Sequence, residues 1–271
     1  MRIAVGQLDC RLGDRAENER RLVSTLRDAR AGGADLLAMP ELQLSGYGVG
    51  RAASESASTV DELSDVLAGS GLAALVGFLE RAGEAFHNSA GYFEDGSPVH
   101  VHRKLYLCGY APFDEHERFA AGDSLRAFDT DVGRVAVLVC NDAWQPFLPS
   151  LAAHDGAEIL LIPSASSTVM PGIREYWRGL TRFYARMLQC YVVFANRVGR
   201  EPGFVFWGGS HVVDPWGEII AEAPLDDEAL LFAEIDVKHV AARRRELPLV
   251  GDLRPELLRR ELDRLASRLH A

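Results

Sequence analysis

Cys140 occupies a position in the sequence from which a nucleophile could be presented. It follows the continuous apolar run 135–139 and precedes the polar pair Asn141 and Asp142. A side chain at the junction of a buried strand and a turn is accessible, and the next backbone N–H is free to face a developing oxyanion. Free cysteine is also among the most buried residue types. On position alone, both a nucleophilic thiol and a buried structural thiol therefore remain open.

Three charged residues could assist such a thiol, and each also has an ordinary interpretation. Glu41 follows the apolar segment 36–39, where a partly desolvated carboxylate would suit a general base. Lys104 follows the strand-like segment 99–102, and Glu115 lies in a loop-like segment. Most lysines and glutamates are solvated surface residues. None of the three is convincing singly.

The elements that must position these residues alternate between strand-like and helix-like patterns. Apolar runs predict strands at 3–8, 36–39, 72–79, 88–93, 99–102, 135–140, 159–163, 191–196, 211–214 and 230–235. Helical spacing and composition predict helices at 18–30, 54–68, 149–154 and 177–189, and a mostly helical tail from about 237. With no break in composition, this alternation predicts one α/β domain over residues 1–271. In such folds the chemistry gathers at the carboxyl ends of strands, where Glu41, Lys104 and Cys140 all fall.

Composition limits the classes of binding partner and the cell compartment that we expect for this protein. The 271 residues include 39 acidic and 29 basic side chains, so the formal charge is −10. This balance disfavours nucleic acid and anionic membranes as partners. No apolar stretch approaches the ~18–20 residues that span a bilayer, and Asp9 interrupts any signal-peptide core. The four cysteines are widely spaced and expected as thiols. We therefore expect a cytoplasmic protein.

A metal site is not expected from the sequence. His100 and His102 share one face of a predicted strand, but their spacing fits no common zinc signature. The chemistry suggested by a thiol, a carboxylate and an ammonium group also requires no metal or organic cofactor.

The order of the candidate residues and the sequence around them resemble those of the nitrilase superfamily of carbon–nitrogen hydrolases. The matching segments are 39–47 (MPELQLSGY), 103–107 (RKLYL) and 137–142 (VLVCND). The resemblance continues through 156–158, 191–196 and 208–218, and so covers nearly the whole chain. It implies a four-layer α-β-β-α sandwich. It also implies a homodimer or higher homo-oligomer, because members of this family usually pair their helical faces.

The resemblance also implies a catalytic set. Cys140 is similar to the family's nucleophile, Glu41 to its general base and Lys104 to the cation that stabilises the oxyanion. Glu115 looks like the second glutamate that several members use to orient the substrate and the lysine.

Five further residues are predicted to bind substrate. Tyr47 and Tyr110 match positions that line the pocket in parts of the family. Asn141 follows the nucleophile and stands where many members have Glu or Tyr. Trp144 lies close behind Cys140, and Ser166 follows a predicted strand end, where a plain turn is an equal alternative.

The implied activity is hydrolysis of a non-peptide C–N bond by a cysteine-dependent enzyme. A small linear amide, or an N-carbamoyl amine, would form an acyl thioester and release ammonia. A nitrilase acting on a small nitrile is the alternative within the family. From other classes, a catalytically silent ligand-binding member and a thiol redox sensor remain open.

Overall fold

A computed structural model describes residues 1–48 and 53–269, which form two six-stranded sheets and a separate two-stranded hairpin. The strands of the first sheet are β1 (Arg2–Gln7), β2 (Leu36–Ala38), β3 (Ala73–Ala82), β4 (Ala85–Glu94), β5 (Ser97–Arg103) and β14 (Ala229–Glu234). Their order across the sheet is β14-β1-β2-β3-β4-β5. β1, β2 and β3 run parallel, whereas β14, β4 and β5 are added antiparallel.

The second sheet repeats this plan. Its strands are β6 (Ala127–Thr130), β7 (Gly133–Val137), β8 (Ile159–Ser164), β9 (Tyr191–Asn196), β12 (His211–Val213) and β13 (Ile219–Glu222), in the order β13-β12-β9-β8-β7-β6. β7, β8 and β9 are parallel. The hairpin consists of β10 (Val198–Glu201) and β11 (Phe204–Trp207).

The described part of the chain also contains eight α-helices. They are α1 (Arg15–Ala31), α2 (Ala53–Ser56), α3 (Val60–Leu67), α4 (Glu115–Arg118), α5 (Phe147–His154), α6 (Ile173–Leu188), α7 (Lys238–Glu246) and α8 (Pro255–Leu269). Local sequence explains where some begin. Asp14 caps α1 by accepting the Glu17 N–H, and Thr59 and Glu62 form a reciprocal capping box at α3.

Buried apolar side chains hold the layers together. Between the two sheets, Val5 and Leu75 of the first pack in one cluster with Leu161 and Val193 of the second. A second cluster joins the first sheet to α1 and α3, and a third joins the second sheet to α5 and α6. The fold is therefore the α-β-β-α sandwich, and that prediction is confirmed.

Several predicted boundaries are wrong in detail. The helix predicted at 54–68 is two helices, α2 and α3. The strand predicted to reach Cys140 ends at Val137, and Cys140 itself adopts a φ of +45°, outside the β region. The sequence patterns also missed α4 and the short strands β6, β10, β11 and β13. In the described part of the chain, no helix is long and apolar enough to cross a membrane.

Candidate active site

Glu41 lies directly after β2 and is almost completely buried. Its Oε1 accepts hydrogen bonds from Asn88 Nδ2 at 2.7 Å and from Lys104 Nζ at 2.7 Å. Its Oε2 accepts from the Ala165 N–H at 2.7 Å. The backbone reaches this position by passing close to β3, where a Cβ on Gly77 would lie 2.1 Å from the Pro40 carbonyl oxygen. The carboxylate is therefore fixed in place by both sheets.

Lys104 follows β5 and points its ammonium group between two carboxylates. Nζ donates to Glu41 Oε1 at 2.7 Å and to Glu115 Oε1 at 2.8 Å, with all three side chains buried. Burial lowers the pKa of Lys104, but Glu115 and Glu41 outweigh it and hold that pKa well above its usual value. Lys104 is therefore a permanent cation at neutral pH.

Glu115 is the first residue of α4 and is fully buried. Besides Lys104, its Oε1 accepts from the Tyr47 hydroxyl at 2.5 Å, and its Oε2 accepts from the Cys108 N–H at 2.8 Å. A solvated loop acid is thus the wrong interpretation of Glu115. The short helix turns this side chain inward against the lysine.

Cys140 opens a 3₁₀ turn, Cys140–Trp144, and is partly exposed. Its positive φ is a strained conformation for a residue with a side chain, as is common where a side chain must be presented for reaction. Burial raises the pKa of the Cys140 thiol well above 9, the Glu41 carboxylate raises it further, and Lys104 opposes them. The thiol is therefore held in its protonated form, which is the weaker nucleophile. It therefore needs a base to become a nucleophile.

Asp142 ties the turn of Cys140 to the loop that follows Lys104. Its Oδ1 accepts the N–H groups of Leu105 at 3.0 Å and Tyr106 at 2.9 Å. Its Oδ2 accepts from His102 Nε2 at 2.8 Å and from the Val139 N–H at 3.1 Å. We did not predict this part of the site. The only signal in the sequence was an acid two residues after the candidate nucleophile.

A second group of residues missed by sequence analysis positions Tyr47. The backbone N–H groups of Tyr47 and Gly48 donate to Glu201 at 3.0 and 2.8 Å. Glu201 pairs with the buried guanidinium of Arg197. Glu201 therefore connects the β10–β11 hairpin to the loop whose tyrosine supports Glu115. Asn88, which holds Glu41, was likewise not predicted.

A cavity of about 260 Å³ opens beside Cys140. All five residues predicted to bind substrate lie on its wall: Tyr47, Tyr110, Asn141, Trp144 and Ser166. Much of the remaining wall is apolar, and includes Phe113, Val169, Met170, Ile173 and Trp177. Trp144 is held by stacking on Tyr176, with ring centroids 4.4 Å apart.

The arrangement matches the requirements of acyl transfer. A partly exposed thiol lies at a cavity, a buried carboxylate is the charged group with the largest effect on it, and a permanent cation stands against that carboxylate. Such a set can remove a proton, form a covalent bond to carbon and stabilise negative charge on oxygen. His102 is bonded to Asp142, and no cluster of metal-ligating side chains occurs among residues 1–48 and 53–269.

Comparisons with known proteins agree with this description. A model of the carbon-nitrogen hydrolase family matches residues 2–245. The omega-amidase NIT2 of Bos taurus is 31% identical over 256 residues, covering 90% of this chain and 91% of that protein. The crystal structure of a carbon-nitrogen hydrolase from Helicobacter pylori G27 superposes with a TM-score of 0.85 at 28% identity, covering 97% and 98% of the two chains. A mutant amidase from Nesterenkonia sp. AN1, with acrylamide added at its active-site cysteine, superposes with a TM-score of 0.75 at 26% identity, covering 91% and 98%.

Proposed function

The chain belongs to the carbon–nitrogen hydrolase family and is a cysteine-dependent hydrolase of non-peptide C–N bonds, and we propose that it releases ammonia from a small linear amide through an acyl thioester on Cys140. The observation that carries this proposal is the buried ammonium group of Lys104, shared by Glu41 and Glu115 next to the cavity of Cys140.

Acylation begins with transfer of the Cys140 proton to Glu41 as sulfur attacks the amide carbonyl carbon. The pair of electrons displaced from the C=O bond leaves negative charge on oxygen, which Lys104 and the Asn141 N–H stabilise. Loss of one such donor typically lowers the rate by ~10²–10³. The C–N bond then breaks, Glu41 returns its proton to the nitrogen, and ammonia leaves.

Deacylation uses the same carboxylate. Glu41 removes a proton from water as the water oxygen attacks the thioester carbon. The C–S bond breaks, the carboxylic acid product forms, and the proton held by Glu41 returns to Cys140. One base thus serves both half-reactions, as microscopic reversibility favours.

Glu115 acts through Lys104 in this proposal. It adds a second carboxylate to the ammonium group and receives its own support from Tyr47 and Cys108. This support holds Lys104 in one position and keeps it charged while Glu41 is protonated and neutral.

The comparisons favour an amide over a nitrile, because the similar proteins are named as amidases. An N-carbamoyl amine presents the same carbonyl and nitrogen to the thiol, so it is the second substrate class to test.

Ammonia release from a panel of primary amides, ureido compounds and nitriles tests the proposal. We expect turnover of amides, and its complete loss in Cys140→Ala. Cys190→Ala is the matched control, since Cys190 is a thiol buried in the core under α6, and should retain most activity. Turnover by a folded Cys140→Ala protein would contradict the assignment of the nucleophile.

We also propose that two copies associate through α5 and α6. These helices expose Phe147 and Leu151 on α5 and Tyr176, Phe183 and Met187 on α6. Exposed apolar side chains grouped on two helices that contact each other favour an interface between copies. Sedimentation should give a dimer or larger assembly, which Phe183→Glu should dissociate, whereas Leu258→Glu on α8 should not. A monomeric native protein would refute this.

A reducing, cytoplasmic location is proposed on separate grounds. All four cysteines of the chain are free thiols, and the formal charge is −10. These properties support a small-molecule partner rather than nucleic acid or a membrane surface. Cell fractionation with a tagged chain would test the compartment.

A further inference from the structure

Two adjacent serines interrupt the apolar wall of the cavity. Ser166 and Ser167 follow β8, directly after Ala165, whose N–H holds Glu41. Both line the cavity, and their exposed fractions are only 7% and 5%. The two serines therefore directly follow the residue that holds the catalytic carboxylate, and both are nearly out of solvent.

The Ser166 hydroxyl is constrained by two tryptophans. Its Oγ accepts the indole N–H of Trp177 at 2.9 Å and that of Trp207 at 3.1 Å. A serine hydroxyl has two acceptor lone pairs and one proton to donate. Because both lone pairs are occupied, the remaining hydrogen-bonding capacity of Ser166 is that of a donor.

The backbone around Ser166 fixes the position of this hydroxyl. The Ser166 N–H donates to Asn196 Oδ1 at 2.8 Å, and Asn196 Nδ2 donates to the Gly208 carbonyl at 2.9 Å. Trp177 is itself packed between Trp144 and Phe194. The hydroxyl is therefore held before any ligand binds, which reduces the entropy lost on binding.

Ser167 supplies a second hydroxyl without a partner. In the described chain its buried Oγ has no hydrogen-bond partner. A buried hydroxyl in that state costs about 1–3 kcal/mol. Because Ser167 lines the cavity, rotation of its side chain would turn the hydroxyl towards a ligand oxygen and recover this energy.

The charge of the wall limits what that ligand group can be. Among the described residues lining the cavity there is no lysine or arginine. The nearby ammonium group of Lys104 is already neutralised by Glu41 and Glu115. Against the described part of the wall, a substrate carboxylate would therefore lose its hydration without gaining an unengaged positive charge, which is costly.

We propose that Ser166 and Ser167 determine substrate choice by binding a neutral hydrogen-bond acceptor, such as a ketone or ether oxygen, on an otherwise apolar acyl group. This inference rests on the proposed amidase function and adds the substrate class. The scissile amide lies at Cys140, and the second polar group of the substrate lies against the two serines.

Three primary amides of nearly equal size test the inference with the native protein. Hexanamide lacks the acceptor, 5-oxohexanamide carries a neutral one, and glutaramate replaces the terminal methyl group of the ketone by a charged oxygen. A second series, one carbon shorter, allows for the depth of the cavity. We expect kcat/KM to be at least about tenfold higher for the ketone than for the alkyl amide, the equivalent of ~1.4 kcal/mol for a hydrogen bond. Glutaramate should be the poorest of the three.

Variants of the two serines test whether they cause the preference for the ketone over the alkyl amide. In Ser166→Ala the ratio of kcat/KM between the ketone and the alkyl amide should fall to near one. Because this ratio is measured within one enzyme, partial loss of folded protein from the unpaired indoles cancels. Ser166→Thr, which keeps a hydroxyl, should restore much of the ratio, and Ser167→Ala should reduce it.

Specific results would overturn the inference. If hexanamide is hydrolysed as fast as the ketone in both series, or if glutaramate is preferred, the serines do not have the proposed role, although the amidase function stands. If the ratio of kcat/KM between the ketone and the alkyl amide is unchanged in Ser166→Ala, the serines likewise do not have the proposed role. If no amide releases ammonia, the proposed function itself fails, and the substrate inference fails with it.

Discussion

Replacing Glu41 by glutamine should change the reactivity of the Cys140 thiol and the rate of turnover in opposite directions. The carboxylate accepts hydrogen bonds from Asn88, Lys104 and the Ala165 N–H. A glutamine oxygen can face Asn88 and Lys104, but its NH₂ group then opposes the Ala165 N–H. Leaving a buried donor unpaired costs about 1–3 kcal/mol. Since domains are stable by about 5–15 kcal/mol, we expect Glu41→Gln to fold.

The two activities of Cys140 should change in opposite directions. The Glu41 carboxylate raises the pKa of the thiol, so its removal lowers that pKa. For each unit by which the pKa falls, the thiolate fraction at pH 7 rises tenfold, and the accompanying fall in nucleophilicity cancels about half of this on a logarithmic scale, which leaves a net acceleration of about threefold per unit. Loss of the general base should meanwhile lower kcat by ~10²–10⁴.

The assay is alkylation of Cys140 by iodoacetamide, followed by mass spectrometry from pH 6 to 9, beside ammonia release. In the native protein the alkylation rate should rise throughout this range, because the pKa of Cys140 lies above it. In Glu41→Gln the rate should be higher at pH 7, and its rise should level off at a lower pH. Glu115→Gln is the matched control. It also removes one carboxylate from Lys104, but Glu115 acts more weakly on the thiol, so its acceleration should be smaller. Slower alkylation in a folded Glu41→Gln protein would refute the reasoning.

Three further predictions concern the supporting residues. Asp142→Asn places an NH₂ group against N–H donors and loosens the loop of Lys104. We therefore expect kcat/KM to fall at least about tenfold and the melting temperature to drop. An unchanged kcat/KM would exclude this positioning role. Tyr47→Phe removes a hydrogen-bond donor from Glu115. Steady-state kinetics should therefore show a fall in kcat of about tenfold with little change in KM. A change confined to KM would contradict this prediction. Burial lowers the pKa of His211 to about 4 from 6.5. Between these two pH values the folded state therefore binds fewer protons than the unfolded state. The free energy of unfolding should fall by about 3 kcal/mol as pH falls from 6.5 towards 4. Urea unfolding at pH 7 and pH 4.5 should show a smaller loss for His211→Gln than for the native protein, and equal losses would contradict the assignment.

The sequence supported correct predictions where the pattern was local. Buried apolar runs revealed β2, β8 and β9 because a strand covered on both faces has no polar alternation. The predicted strands at 36–39 and 99–102 likewise placed Glu41 and Lys104 at strand ends, because the chain must leave the sheet there. The predictions of the family, the fold and the class of reaction are confirmed.

What could not be predicted depends on partners distant in the chain. Glu201 lies 154 residues from the Tyr47 backbone that it holds, and Asn88 lies 47 residues from Glu41. A lone glutamate in a short hairpin or a lone asparagine in a strand has no periodic signal. The inward turn of Glu115 likewise depends on α4, a helix of four residues that is too short for a helical pattern.

The number of hydrogen bonds does not distinguish the base from the supporting carboxylate. Glu41 and Glu115 have the same set of donors: Lys104, one other side chain and one backbone N–H. Their effects on Cys140 do differ. Glu41 is the charged group that most raises the pKa of the thiol, and Glu115 raises it less. The field of a carboxylate weakens with distance, so the group that most resists ionisation of the sulfur is also the one best placed to receive its proton. The same proximity that keeps Cys140 protonated at rest therefore makes Glu41 its base in the reaction.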